Sequence, residues 1–304
     1  MTIEANNVVV ISDTHCGCRV GLCPPGGIRL DEGGTYNASK LQRKMWSMWR
    51  EFWDEWIPAA TKGEDFCVIM NGDALDGTPH QSKSNISSNL ADQANIAYEV
   101  IAPVVEACGG RYWHIRGTEA HVGKSAENEE QLAQRLGAIP TAEGQASRYE
   151  LRKRIGPKKA HKIIHALHHI GTTGSPASES SAVMAEMVTA YVESARWGSR
   201  PPSVVVRSHR HRNINIQFPA QDAIATHEAS SVWSLTSPAW QARTPFVMKI
   251  PGGRLSTPQF GGVLIRYEDG EIIVRPKVWT IPQSKVERSP RISHAKNSRR
   301  NYKN

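Results

Sequence analysis

The chain has 304 residues, 39% of them apolar, and a net charge of +8, enough length for one large or two small globular domains. No apolar run approaches the roughly 18–20 residues of a membrane span. Five cysteines, an odd number, do not make the framework of a disulfide-stapled secreted domain. The opening residues, "MTIEANNVVVISD", lack a basic stretch followed by an apolar core and a cleavage site. They read as a strand rather than a signal peptide, and a reducing cytoplasm is the expected location.

In chain order, residues 7–15 (NVVVISDTH) form an apolar run that ends in polar groups, the pattern of a buried strand running into a loop. Residues 16–40 are rich in Gly and Pro and have no period. They suit either a lid over a site or a surface excursion. Cys16, Cys18 and Cys23 lie there without the second pair that a zinc finger requires. Residues 38–60 place Leu41, Met45, Met48, Trp49, Phe52, Trp53 and Trp56 at three- and four-residue spacing, which predicts one helix whose Trp-rich face packs in a core. Further strand-to-loop patterns follow at 66–77, 111–121, 161–171 and 203–212, with helices at 89–108 and 178–197, the latter capped at Ser178 or Ser180. The last third reads as β at 227–240, at 246–250 (FVMKI) and at 261–279, where Glu268-Asp269-Gly270 marks a hairpin turn.

Strands alternating with helices and then antiparallel β predict an α/β fold, a layered β-sandwich flanked by helices. One domain over 1–284 and a basic tail over 285–304 are expected. That tail and the segment 148–162 each carry seven Lys/Arg and one Glu, so the rest of the chain is net acidic. Two basic segments on an acidic body point to a polyanionic partner, DNA or RNA, and no membrane. A solvated tail that serves solubility is the plain alternative.

Five strand ends carry Asp, Glu or His: Asp13 and His15; Asn71, Asp73 and Asp76; Glu119 and His121; His168 and His169; His209 and His211. These are donors for divalent metals, and α/β sheets gather their sites outside the carboxyl ends of strands. Asp-x-His and His-x-His each place two donors on one side of an extended chain.

The motifs DTH, GDALD, GTEAH, HH and SHRH, over roughly residues 7–215, resemble the signature of calcineurin-like metallophosphoesterases, most of all those of bacteriophages and prophages in a bacterial host. The resemblance implies two divalent metal ions, manganese foremost, with iron, zinc or nickel compatible. It implies that Asp13 and His15 bind the first metal, Asp73 bridges, His168 and His209 bind the second, and His211 completes the first. Asp76 would orient a histidine ligand, with His169 beside the site. The reaction implied is phosphoester hydrolysis by an activated water, on a nucleic-acid phosphodiester or on a small molecule or phosphoprotein. A non-catalytic nucleic-acid-binding protein on the same fold is the other reading. Arg116, Arg207, Arg210 and Arg212 flank the motifs, and Arg116 and Arg210 are candidates to hold phosphate.

The loop Arg116–His121, RGTEAH, departs from the family pattern. Thr118 stands where the family has an Asn ligand and Glu119 where it has a catalytic His. A rearranged site is expected, with Glu119 as ligand and His121 as the acid that serves the leaving group. The alternative leaves both as exposed loop residues. Ser208 replaces the Gly of the last motif, at a position that needs only a small residue.

Overall fold

The computed structural model describes residues 5–78, 84–171, 176–221, 229–249 and 257–281. The basic tail expected over 285–304 lies outside them. In chain order the strands are β1 (Asn7–Ile11), β2 (Ile28–Arg29), β3 (Thr35–Tyr36), β4 (Cys67–Asn71), β5 (Tyr112–Ile115), β6 (Ser147–Arg148), β7 (Glu150–Ile155), β8 (Lys162–Leu167), β9 (Val204–Arg207), β10 (Ile214–Gln221), β11 (Ala229–Thr236), β12 (Gln259–Glu268) and β13 (Glu271–Thr280). The helices are α1 (Lys40–Glu51), α2 (Ile57–Ala60), α3 (Leu90–Ala107), α4 (Glu119–Val122), α5 (Glu127–Arg135), α6 (Glu179–Arg196) and α7 (Pro245–Lys249).

Two sheets make the sandwich. The first runs β13-β12-β1-β4-β5-β6 and the second β10-β11-β9-β8-β7. β1, β4, β5 and β6 run parallel to one another, as do β8, β9 and β11, while β12 pairs antiparallel with β1 and β13, β7 with β8 and β10 with β11. β1, β4 and β9 are buried on both faces, which is why each reads as an apolar run up to its last residue. From β1, Val8 and Val10 face the second sheet, where Ile164, Ala166, Val204 and Val206 meet them. Val9 and Ile11 face the other way, into a core built with α1 and α3. The helix α6 covers the outer face of the second sheet through Met187, packed with Val205 and Val232. The architecture is a layered α/β sandwich with helices outside.

The hairpin β12–β13 turns through Asp269 and Gly270, both at positive φ (51° and 86°), as a two-residue turn that matches strand twist requires. The helix expected over 38–60 starts at a capping box, Ser39 with Gln42. It then passes through a π-helical turn at Phe52–Trp56 before α2. That turn rotates the aromatic residues so that Phe52 stacks on Trp56 and meets Trp53 and Trp240 edge-on. The Trp-rich face is therefore core, not a stacking surface.

The strand expected at 246–250 is a helix, α7, over its described residues. Pro245 opens it, and the Thr244 hydroxyl accepts from the Val247 N–H at 3.3 Å. A capped first turn overrides the short apolar run FVMKI. Segment 16–40 divides in two: Cys16, Cys18, Leu22 and Cys23 are buried, while much of 25–37 is exposed around the small hairpin β2–β3. The cysteines there are free thiols.

Phe52→Ala removes a fully buried ring from the contact between helix and first sheet. It should cost about 3–5 kcal/mol in guanidinium unfolding. A loss below about 1 kcal/mol would contradict this packing.

Candidate metal centre

Because the parallel strands share a direction, β1, β4, β5, β8 and β9 deliver their following loops to one edge of the sandwich. The loops are stitched together by backbone. Asp13 N–H donates to Gly72 O at 3.0 Å, His15 N–H to Asp73 O at 3.1 Å, and Ser208 N–H to His168 O at 2.9 Å. Asp13, His15, Asp73, His209 and His211 all have positive φ, from 42° to 72°. Left-handed backbone at a residue with a Cβ costs about 1–2 kcal/mol each. Five such residues in one cluster are strain held in place by surrounding structure, the mark of a functional site.

Three sets of side chains bring their donor atoms within 4.8 Å of one another: Asp13, His15 and His211; His15, Asp76 and His121; and Asp73, His168 and His209. Asp73 lies between them. Its Oδ2 is 3.1 Å from His168 Nε2 and 4.0 Å from Nε2 of both His15 and His121. Asp13 Oδ1 is 3.2 Å from His211 Nε2 and 3.9 Å from His168 Nε2.

Three of the histidines are oriented from behind. His168 Nδ1 donates to Asn71 O at 2.6 Å, which turns Nε2 toward the carboxylates. His15 Nδ1 faces Asp76 Oδ1 at 3.2 Å, and Gln241 holds that same oxygen at 3.0 Å. His121 Nδ1 donates to Asp76 O at 2.7 Å, so its Nε2 offers a lone pair to the cluster.

Asp13 and Asp73 are buried, and burial works to raise both carboxyls. The imidazoles outweigh it, His168 foremost, and hold both below the ordinary carboxylate range. Burial likewise works against charge on His15 and His168. The facing carboxylates prevail and lift His15 to about 10 and His168 to about 9. His121 goes the other way, lowered by burial and by the neighbouring His15. Asp13 Oδ1 and His168 Nε2 are buried without a hydrogen-bond partner among the described residues, as expected of donor atoms aimed at a cation. Buried anionic oxygens and imidazole nitrogens are the donor set of Mn, Fe and Zn sites, so the residues fit such a metal.

Of the residues expected at the site, Asp13, His15, Asp73, Asp76, His121, His168, His209 and His211 converge. His169 stands exposed at the rim, its ring 5.4 Å from that of His168. Glu119 does not converge. It begins α4 with Thr118 as the preceding cap residue, is exposed, and belongs to none of the three sets; that same turn carries His121 inward.

The flanking arginines are engaged elsewhere. Arg116 holds Ser147 Oγ at 2.8 Å and Glu130 at 3.4 Å. Arg207 pairs with Glu186 at 2.9 Å and Arg212 with Glu179 at 2.5 Å. Arg210 reaches the Gly171 carbonyl and stands 4.0 Å from Glu179.

No motif marks two of the supports, Glu129 and Gln241. Thr118 donates to Asp73: its N–H reaches Asp73 Oδ1 at 2.7 Å, and its hydroxyl reaches both carboxylate oxygens at 3.1 Å. Glu129, fully buried on α5, accepts from Ala74 N–H at 3.0 Å and Gly117 N–H at 2.8 Å, tying the Asp73 loop to the RGTEAH loop. A Cβ on Gly117 would collide with the Asp73 carboxylate.

No protein family and no curated protein matches the chain. Among solved structures it is similar to Vacuolar Protein Sorting 29 from Cryptosporidium parvum, at 11% identity and a TM-score of 0.37, over 91% of this chain and 98% of that one. It is also similar to the Thermotoga maritima protein TM1076, solved by NMR, at 10% identity and a TM-score of 0.34, over 90% of this chain and 100% of that one. At such scores the overlap is loose, and the architecture rests on the chain's own two sheets.

Raised histidines stabilise the fold most below their unfolded value near 6.5, and that contribution is lost as pH rises through about 9 to 10. With a chelator present, the unfolding temperature should therefore fall between pH 7 and 10. Added Mn2+ should remove that fall, since a cation neutralises the same carboxylates. A flat profile with chelator would contradict the charge balance described. Gly117→Ala should weaken Mn2+ binding in calorimetry by about 10-fold or more, by displacing Asp73.

Proposed function

We propose that the chain is a metal-dependent phosphoester hydrolase. The observation that carries this is the convergence of acid and imidazole donors from five loops on strained, left-handed backbone. The resemblance of DTH, GDALD and SHRH to calcineurin-like metallophosphoesterases points to the same chemistry. Asp13, His15 and His211 would hold one divalent cation, and Asp73, His168 and His209 a second, with manganese the expected ion. When bound, such ions lower the pKa of water and neutralise phosphate oxygens.

The chain's own residues do the rest. Asn71 and Asp76 fix His168 and His15 so that their Nε2 atoms face the cluster. His121, with Nδ1–H given to the Asp76 carbonyl, keeps Nε2 able to accept a proton from the attacking water and return it to the leaving oxygen. Glu119, exposed, takes no part in this reading. The excess of cations in 148–162 favours a nucleic-acid phosphodiester as substrate.

Bis-(p-nitrophenyl) phosphate should turn over with Mn2+, and Asp73→Asn should reduce the rate by more than about 100-fold. His121→Ala should cost about 100-fold or more on an ester with a poor leaving group and less on p-nitrophenolate, which needs no proton. Absence of turnover by the wild type with Mn2+, Fe2+, Zn2+ and Ni2+ would reject the hydrolase.

A further inference from the structure

Among the described residues, Tyr149 is a large aromatic side chain left exposed at the end of the sheets that carries the candidate site. It is 60% exposed and joins β6 in the first sheet to β7 in the second. Its position is fixed at both ends. Arg148, just before it, pairs in register with Ile115 at the end of β5, two residues before Gly117. Glu150, just after it, pairs with Leu167, the residue before His168. The Arg116 guanidinium lies 4.8 Å over the Tyr149 ring and backs one of its faces. A cation behind an exposed ring leaves a flat surface of the kind on which bases stack.

From Tyr149 the edge strand β7 runs away from the site with Arg152 and Arg154 exposed on one face, about 7 Å apart as alternate strand residues are. The turn beyond it exposes Lys158 and Lys159. The one acid of β7, Glu150, is turned to His165 at 3.0 Å. Charge on an edge strand also serves to block edge-to-edge pairing. That role accounts for the cations, but it would avoid an exposed aromatic at the strand's start rather than place one there.

We propose that Tyr149, Arg152 and Arg154 form a track for single-stranded nucleic acid, with a base stacked on Tyr149 beside the site and phosphates followed outward along β7. The track supplies the substrate class for the hydrolase proposed above and rests on that reading for its purpose. A binding test in chelator is independent of it. With the full chain in EDTA, fluorescence anisotropy on a labelled oligodeoxythymidine of about twelve nucleotides should report binding that weakens steeply with salt.

Tyr149→Ala should raise Kd by about 5-fold or more, and Tyr149→Phe, which keeps the ring, should restore it. Arg152→Glu with Arg154→Glu should raise Kd by more than about 10-fold and flatten the salt dependence. Unchanged unfolding temperatures and Mn2+ affinity in these variants would assign the loss to the track. The proposal is overturned if the wild type does not bind, if the variants bind as the wild type does, if Tyr149→Phe fails to restore binding, or if a duplex of the same length binds more tightly than the single strand. Loss of hydrolysis of bis-(p-nitrophenyl) phosphate with binding intact would reject the hydrolase and leave the track standing.

Discussion

Two carboxylates without access to water, Asp13 and Asp73, both lie within 4 Å of the same imidazole nitrogen, His168 Nε2. Burying one unpaired carboxylate costs several kcal/mol, and two close together cost more. The fold around them is best understood as what makes that burial possible. Positive charge comes from His15 and His168, hydrogen bonds from Ser12 and Thr118, and a fixed frame from the strand ends. A divalent cation answers the same demand with fewer protons, which is why a cluster that is stable in itself is also poised to bind one.

The frame explains why strain is tolerated at this edge. Five residues with left-handed backbone would be expensive in a loop free to relax. Here each neighbours a parallel strand whose register is set by apolar contacts on both faces. The backbone bonds among Asp13, His15, Gly72 and Asp73 leave no alternative path. Glu129 adds a strut from a separate helix. Both of its oxygens accept backbone N–H groups, one from each of the loops that carry Asp73 and Thr118. Packing energy spread over the sandwich is thereby concentrated in a small polar cluster.

Much of this was legible in the sequence, for identifiable reasons. β1, β4 and β9 announce themselves because strands buried on both faces cannot carry polar residues until they leave the sheet. The first polar residues after each are therefore at the site. What could not be read acts at a distance or through geometry. Glu129 reaches Ala74 across 55 positions, and Gln241 reaches Asp76 across 165. Neither sits in a motif. Glu119 and His121 are both functional residue types two positions apart, and only the single turn of α4 decides that His121 faces the cluster and Glu119 faces water. FVMKI misled because a short apolar run has no period of its own, and the cap at Thr244 decided its form.

Thr118 is where RGTEAH departs most from the family pattern, and its geometry gives the departure a physical meaning. An amide carbonyl at this position would donate a lone pair to a cation. Thr118 instead gives two hydrogen bonds to Asp73, the carboxylate shared between the groups. A carboxylate already accepting hydrogen bonds has less charge to offer a metal. The set Asp73, His168 and His209 then rests on that engaged carboxylate and two imidazoles, one of them exposed. The set Asp13, His15 and His211 has a carboxylate of its own, which accepts from the Ser12 hydroxyl, with Asp76 behind His15. On the hydrolase reading the altered loop does not abolish the centre. It puts hydrogen bonds that fix the carboxylate between the sets where the family pattern has a ligand.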